Sequence, residues 1–141
     1  MKKHPLDRLL RLRSLLEDIS RMELEMRLQE LAQIERALTQ RTADRKSLRE
    51  QSFAGFARAD NAIWTEAEVM HEWSEWEQGF LERAHQKKLV EVGTAEESYL
   101  ERRKERRQVG RVIEDHAAAA ATEQNRRRQR ELDDWFAQRS R

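Results

Sequence analysis

The chain has 141 residues, 39% of them charged and 38% hydrophobic, with four glycines, one proline, no cysteine and a formal net charge of +1. A mean hydropathy of −1.03 is too polar for a thick core, and so few turn formers leave little room for a sheet. Without cysteine there is neither a disulfide framework nor a thiolate metal site, in keeping with a reducing compartment. The longest apolar run, Ala117 to Ala121, is far shorter than the roughly 20 residues that cross a bilayer, so no transmembrane segment is expected.

Met1-Lys2-Lys3-His4-Pro5 has the charge of a signal n-region, but Arg8, Arg11 and Arg13 interrupt what would be its apolar stretch, so an export signal is not expected. Pro5 suits the first turn of a helix, where its missing N–H is no loss. Leu9, Leu12, Leu16, Ile19, Met22 and Met26 then make one stripe, continued by Leu31, Ile34 and Leu38, which predicts an amphipathic helix over about 5–51. The five-residue step from Met26 to Leu31 departs from a strict heptad and predicts a loose supercoil there.

Residues 52–60, Ser-Phe-Ala-Gly-Phe-Ala-Arg-Ala-Asp, have no clear periodicity, and we place a turn in them, with Asp60 or Asn61 capping the next helix. From Asn61 to Arg139 there is no proline. An apolar beat at Leu81, Ala84, Lys88, Val92, Ala95 and Tyr99 moves by threes and fours, with Lys88 its weak step. This predicts one helix over about 61–139, on the order of 100 Å at a rise of about 1.5 Å per residue. The fold class expected is all-α: a long antiparallel two-helix coiled coil, one unit over 1–141. Counting outward from the turn, helix one ends when helix two reaches about residue 109, leaving a C-terminal overhang. Beyond Tyr99 the stripe runs through Arg102 or Arg103, Arg106, Val109 and Ile113, so guanidinium stems interrupt a thin seam.

Charge is unevenly placed. Residues 59–82 carry seven acids and no Lys or Arg, whereas residues 1–58 and 99–141 are basic. The acidic part also holds Trp64, Trp73, Trp76 and Phe80. These rings either pack on Phe53 and Phe56 to close the hairpin tip or form a protein-binding hot spot, for which tryptophan is well suited; both can hold for different rings. The tail carries Arg126-Arg127-Arg128-Gln129-Arg130, then Leu132, Trp135 and Phe136. Glu123, Glu131, Asp133 and Asp134 surround this run and the isoelectric point is about 8.1, which speaks against nucleic acid and for an acidic protein groove. His71-Glu72-Trp73-Ser74-Glu75 has a glutamate where the zinc helix H-E-x-x-H needs its second histidine, so it reads as a His/Glu pair one turn apart. No catalytic, cofactor or metal site is expected, and no enzyme.

Three stretches carry a resemblance: the opening Leu6-Asp7-Arg8-Leu9-Leu10-Arg11-Leu12-Arg13, the run Glu101-Arg102-Arg103-Lys104-Glu105-Arg106-Arg107 leading to His116-Ala117-Ala118-Ala119, and above all Glu123-Gln124-Asn125-Arg126 through Glu131-Leu132-Asp133-Asp134-Trp135-Phe136-Ala137-Gln138-Arg139. With these the chain resembles, along essentially its whole length, the FliJ family, the stalk proteins of flagellar type III export. The resemblance implies an antiparallel two-helix coiled coil similar to the shaft of rotary ATPases. It implies a cytoplasmic, non-enzymatic protein at the flagellar base, peripheral to the inner membrane. Its paired ends would enter the hexameric export ATPase (FliI-like), near Leu9, Arg13, Arg126, Arg130 and Phe136. Its tip region would meet the export gate (FlhA-like), near Trp73, Trp76, Phe80 and Ala84, and export chaperones are further partners. The tyrosine pair that many members show late in helix one is absent; Arg41, Arg45 and Leu48 stand there. YscO-like injectisome stalks, or a general coiled-coil adaptor or dimerising rod, are the alternatives.

Overall fold

The computed structural model describes residues 4–58 and 61–140. They form two α-helices, α1 (Asp7–Ala57, 51 residues) and α2 (Asn61–Arg139, 79 residues). Contacts divide the chain into two compact units, one of Met1–Ser20 with Tyr99–Arg141 and one of Arg21–Ser98. In each, a stretch of α1 packs antiparallel on a stretch of α2.

The helix ends differ from the predicted ones at α1. Pro5 lies in a turn ahead of the helix, where the Leu6 N–H donates to His4 Nδ1 (3.0 Å) and the Asp7 N–H to the His4 carbonyl (2.9 Å). His4 thus takes up donors that the first turn leaves unpaired, and Asp7 sits favourably at the positive end of the helix dipole. At the other end α1 runs six residues past Gln51, so most of the expected turn is helix. Asp60, named above as a cap, lies outside the described residues.

Gly55 explains the extension. It is buried, and a Cβ built there would stand 2.8 Å from Ile63 Cγ2. The glycine therefore serves close helix approach rather than a turn. Ile34, Arg41, Leu48 and Gly55 follow one another by sevens, as do Ala67, Ser74, Leu81, Lys88 and Ala95 on α2, and all are buried or half-buried.

In the Arg21–Ser98 unit the buried residues are small: Gly55, Ala67 (4% exposed), Ser74 (3%) and Ala95 (9%). Ion pairs fill the spaces between them. Arg41 meets Glu77 at 2.5 Å, Arg45 meets Gln78 at 2.8 Å and Glu75 at 3.4 Å, and His85 lies 3.4 Å from Glu35. Lys88 donates to Glu30 across the helices and to Glu91 (2.6 Å) one turn on, and Arg27 approaches Glu91 at 3.7 Å. Hydrogen bonds from Lys88 hold the Glu30 and Glu91 carboxyls below their ordinary range, and the bond to Glu30, then that to Glu91, pushes the Lys88 ammonium above its own. The weak step of the predicted beat is a charged rung of the seam. Its neighbours Leu81, Ala84, Val92 and Ala95 also face α1, half-buried or buried.

In the other unit Arg13 pairs with Glu105 at 2.9 Å, Glu17 accepts from Arg106, Ser20 is 7% exposed, and the rings of His4 and His116 meet edge to face at 5.2 Å. The pairing therefore reaches residue 116, beyond the expected 109, because the extension of α1 moves the reversal toward α2. Helix α2 continues through Gly110, and every described residue from Glu114 to Ser140 is exposed.

The predicted stripe of helix one needs correction. Leu31, Ile34 and Leu38 are half-buried on the seam, and so are Leu9 and Leu16. Leu12 (51% exposed), Ile19 (59%), Met22 (62%) and Met26 (56%) point outward. The places facing α2 are instead Arg13, Glu17 and Ser20 in one unit and Leu24 and Arg27 in the other. Five residues turn a helix by about 140° beyond a full revolution, so the step from Met26 to Leu31 marks a change of face rather than a slack in one seam.

Candidate protein-interaction surfaces

On α2 of the Arg21–Ser98 unit, Val69, Trp73, Trp76 and Phe80 recur by fours and threes and share the side of the helix away from α1. Trp73 stacks on Trp76 (5.4 Å between centroids, 29°) and Trp76 on Phe80 (6.1 Å, 16°). All three rings are more than half exposed. A ladder of stacked rings is stiff as well as apolar, which lowers the entropy lost when a partner covers it. Ala84 is half-buried and faces the seam instead, so three of the four residues expected to face a gate form one patch and the fourth does not.

The tip is closed by a different ring. Phe56 at the end of α1 meets Trp64 in the second turn of α2 (5.9 Å, 53°). Beside them runs an open groove of about 700 Å³, walled by Phe53, Phe56 and Trp64 and floored by Ala67. Phe53 and Phe56 had been read only as packing partners; at 76% and 72% exposed they are more open than any of the tryptophans. Arg49 forms the α1 rim of the groove, and Glu68 and Glu72 its α2 rim. His71 places Nε2 3.2 Å from Glu75, the His/Glu pair expected one turn apart.

In the other unit the five residues expected to face a ring fall into two groups. Leu9 and Arg13 lie where α1 meets α2, Arg13 already tied to Glu105. Arg126, Arg130 and Phe136 stand on the exposed end of α2. From Glu105 to Arg126 is about 30 Å along a helix, so the five do not make one patch. Arg126 and Arg130 are one turn apart on the same side. Phe136 packs edge to face with Trp135 at 5.1 Å, and the Arg139 guanidinium covers the Trp135 ring at 4.5 Å, a cation–π contact that sequence reading missed. The exposed Leu12, Leu15 and Ile19 belong to this unit as well.

Among the described residues no group of three or more His, Asp or Glu side chains comes together as a metal site, and no helix is long and apolar enough to cross a membrane. No family model, no curated protein and no solved structure matches this chain.

Proposed function

We propose that the protein is a non-enzymatic stalk of flagellar type III export, a coiled-coil hairpin that inserts one end into the hexameric export ATPase and presents its other part to the export gate. One observation carries this reading: among the described residues α2 continues as helix for more than twenty residues beyond His116, where it meets His4, and that stretch, from Ala117 to Arg139, is exposed throughout and bears Arg126, Arg130 and Phe136. A free helical end with arginines and an aromatic terminus suits a ring lined by acidic loops. The export gate, and export chaperones with it, would meet the Trp73–Trp76–Phe80 ladder, whose surroundings are acidic.

The test is titration into a flagellar export ATPase, following ATP hydrolysis and hexamer formation, with the full chain compared with a version ending at Ile113. Stimulation by the full chain that disappears on truncation supports the reading, as does weakening by salt, since charge pairs at a rim are screened. No stimulation by the folded full chain refutes it and leaves a general coiled-coil adaptor or an injectisome stalk.

A further inference from the structure

The tip groove is not used by the proposed stalk role, and its charges point to an occupant. Its walls are the exposed rings of Phe53, Phe56 and Trp64; its rims are Arg49 on α1 and Glu68 with Glu72 on α2. None of these three charged groups has an ion-pair partner among the described residues, although neighbouring Arg45 and Glu75 pair with each other at 3.4 Å. An open aromatic groove with a cationic rim on one helix and an anionic rim on the other is complementary to itself.

We infer that two copies of the chain associate through this groove, tips at the same end, as a two-fold symmetric four-helix pair. The hairpin's own register sets the levels. Arg45 opposite Glu75, and Gly55 opposite Ile63, put Arg49 level with the stretch between Glu68 and Glu72, and Phe56 level with Trp64, which it touches. A two-fold axis parallel to the helices lays α1 of one copy against α2 of the other without changing those levels. Each Arg49 then comes between Glu68 and Glu72 of the second copy, and Phe53 and Phe56 come against the second copy's Trp64. The opposite arrangement, with the axis across the helices, sets Arg49 against Arg49 and the glutamates against glutamates, and like charges reject it. The small floor residue Ala67 lets the helices approach. Trp73 and Phe80 lie nearly half a turn round α2 from Trp64, whereas Trp76 follows Glu72 by four residues and borders the acidic rim; the inference rests on the rim charges and does not depend on the export reading.

The experiment is analytical ultracentrifugation of the full chain, from about 1 to about 200 µM, a range that covers weak dimers. Concentration-dependent dimers are expected. Arg49→Glu alone, and Glu68→Arg with Glu72→Arg, should each raise the dissociation constant by on the order of tenfold or more, since each makes the rims alike in charge. An equimolar mixture of these two variants should dimerise again, at least as well as the unaltered chain, because every rim pair in the mixed dimer is then opposite in sign. Circular dichroism confirms that the variants keep their helices. Leu15→Glu, in the other unit, should leave the dimer unchanged. A chain that stays monomeric throughout overturns the inference. So does a dimer indifferent to the Arg49 and Glu68/Glu72 changes, a dimer broken by Leu15→Glu, or a mixture that fails to restore association.

Discussion

Gly55→Ala sets helix propensity against close packing, and the distances decide between them. Alanine inside a helix is favoured over glycine by about 1 kcal/mol. The new Cβ would stand 2.8 Å from Ile63 Cγ2, 3.3 Å from Ile63 Cβ and 3.6 Å from the Trp64 nitrogen. The nearest atoms belong to a β-branched side chain that is stiff in a helix, and Ile63 Cβ moves only with its backbone, so the helices must part by several tenths of an ångström. Overpacking of this kind costs about 1–3 kcal/mol, and the net result should be a loss of about 1 kcal/mol. Urea unfolding followed by circular dichroism and tryptophan emission measures it. Ile63→Ala removes the nearer obstacle, Cγ2 at 2.8 Å, and keeps Cβ at 3.3 Å, so Gly55→Ala introduced on that background should be close to neutral, the propensity term offsetting the remaining tight contact. If Gly55→Ala alone raised stability, the close approach at the tip would be refuted.

Ser74 is 3% exposed and its hydroxyl has no hydrogen-bond partner; Ser74→Ala should stabilise by about 1 kcal/mol in the same urea assay, since an unsatisfied buried hydroxyl is removed without leaving a large cavity. Because Glu30 and Glu91 titrate below their usual 4.5 in the folded chain, their contribution is full above that pH and is lost as pH falls through the lowered values; because Lys88 titrates above 10.5, its contribution is full below that pH and is lost as pH rises through the raised value. Lys88→Met should flatten both limbs of a stability profile measured by thermal melts across pH, and limbs of undiminished steepness would refute the role given to this rung. On the proposed export reading, Trp73→Ala with Trp76→Ala should abolish binding in a pull-down with an export gate's cytoplasmic domain; on any reading it should leave helical content intact, because the two rings stack on each other and on Phe80 rather than on α1, and a loss of helix on mutation would contradict that placement.

The helices themselves were legible because helix-forming residues dominate and nothing breaks the long periodic runs. The boundary at α1 was misplaced because Phe53-Ala54-Gly55-Phe56-Ala57 shows no apolar beat, and a glycine after a polar stretch resembles a turn. The signal that identifies its role is the spacing by sevens from Ile34 through Gly55, which apolar counting passes over because Arg41 is one of its members. The same habit put Leu12, Ile19, Met22 and Met26 on the inside. Apolar periodicity shows that a helix has an apolar face but not which surface covers it. Here Arg13, Glu17 and Arg27 hold the inner positions because their partners Glu105, Arg106 and Glu91 lie on another part of the chain. Ladder and tail residues were recognisable by type, yet the separation of Arg13 from Arg126 depends on the register of the two helices, which no local pattern contains.

The placement of apolar residues bears on how such a protein is held together and how it works. Its most buried positions are glycine, alanine and serine, which bring little apolar area out of water, and partly exposed ion pairs each add only about 0–1 kcal/mol. The large apolar side chains, Phe53, Phe56, Trp73, Trp76 and Phe80 in one unit and Leu12, Leu15, Ile19 and Phe136 in the other, are mostly outside. Covering them stabilises the folded chain in proportion to partner concentration over dissociation constant, since a partner that binds only the folded form draws the equilibrium toward it. Seam and surface variants should then separate cleanly. Changes at Ser74 or Gly55 alter the stability of the isolated chain, and changes at Trp73 or Arg49 leave it nearly untouched while altering the added stability that a partner or a second copy confers.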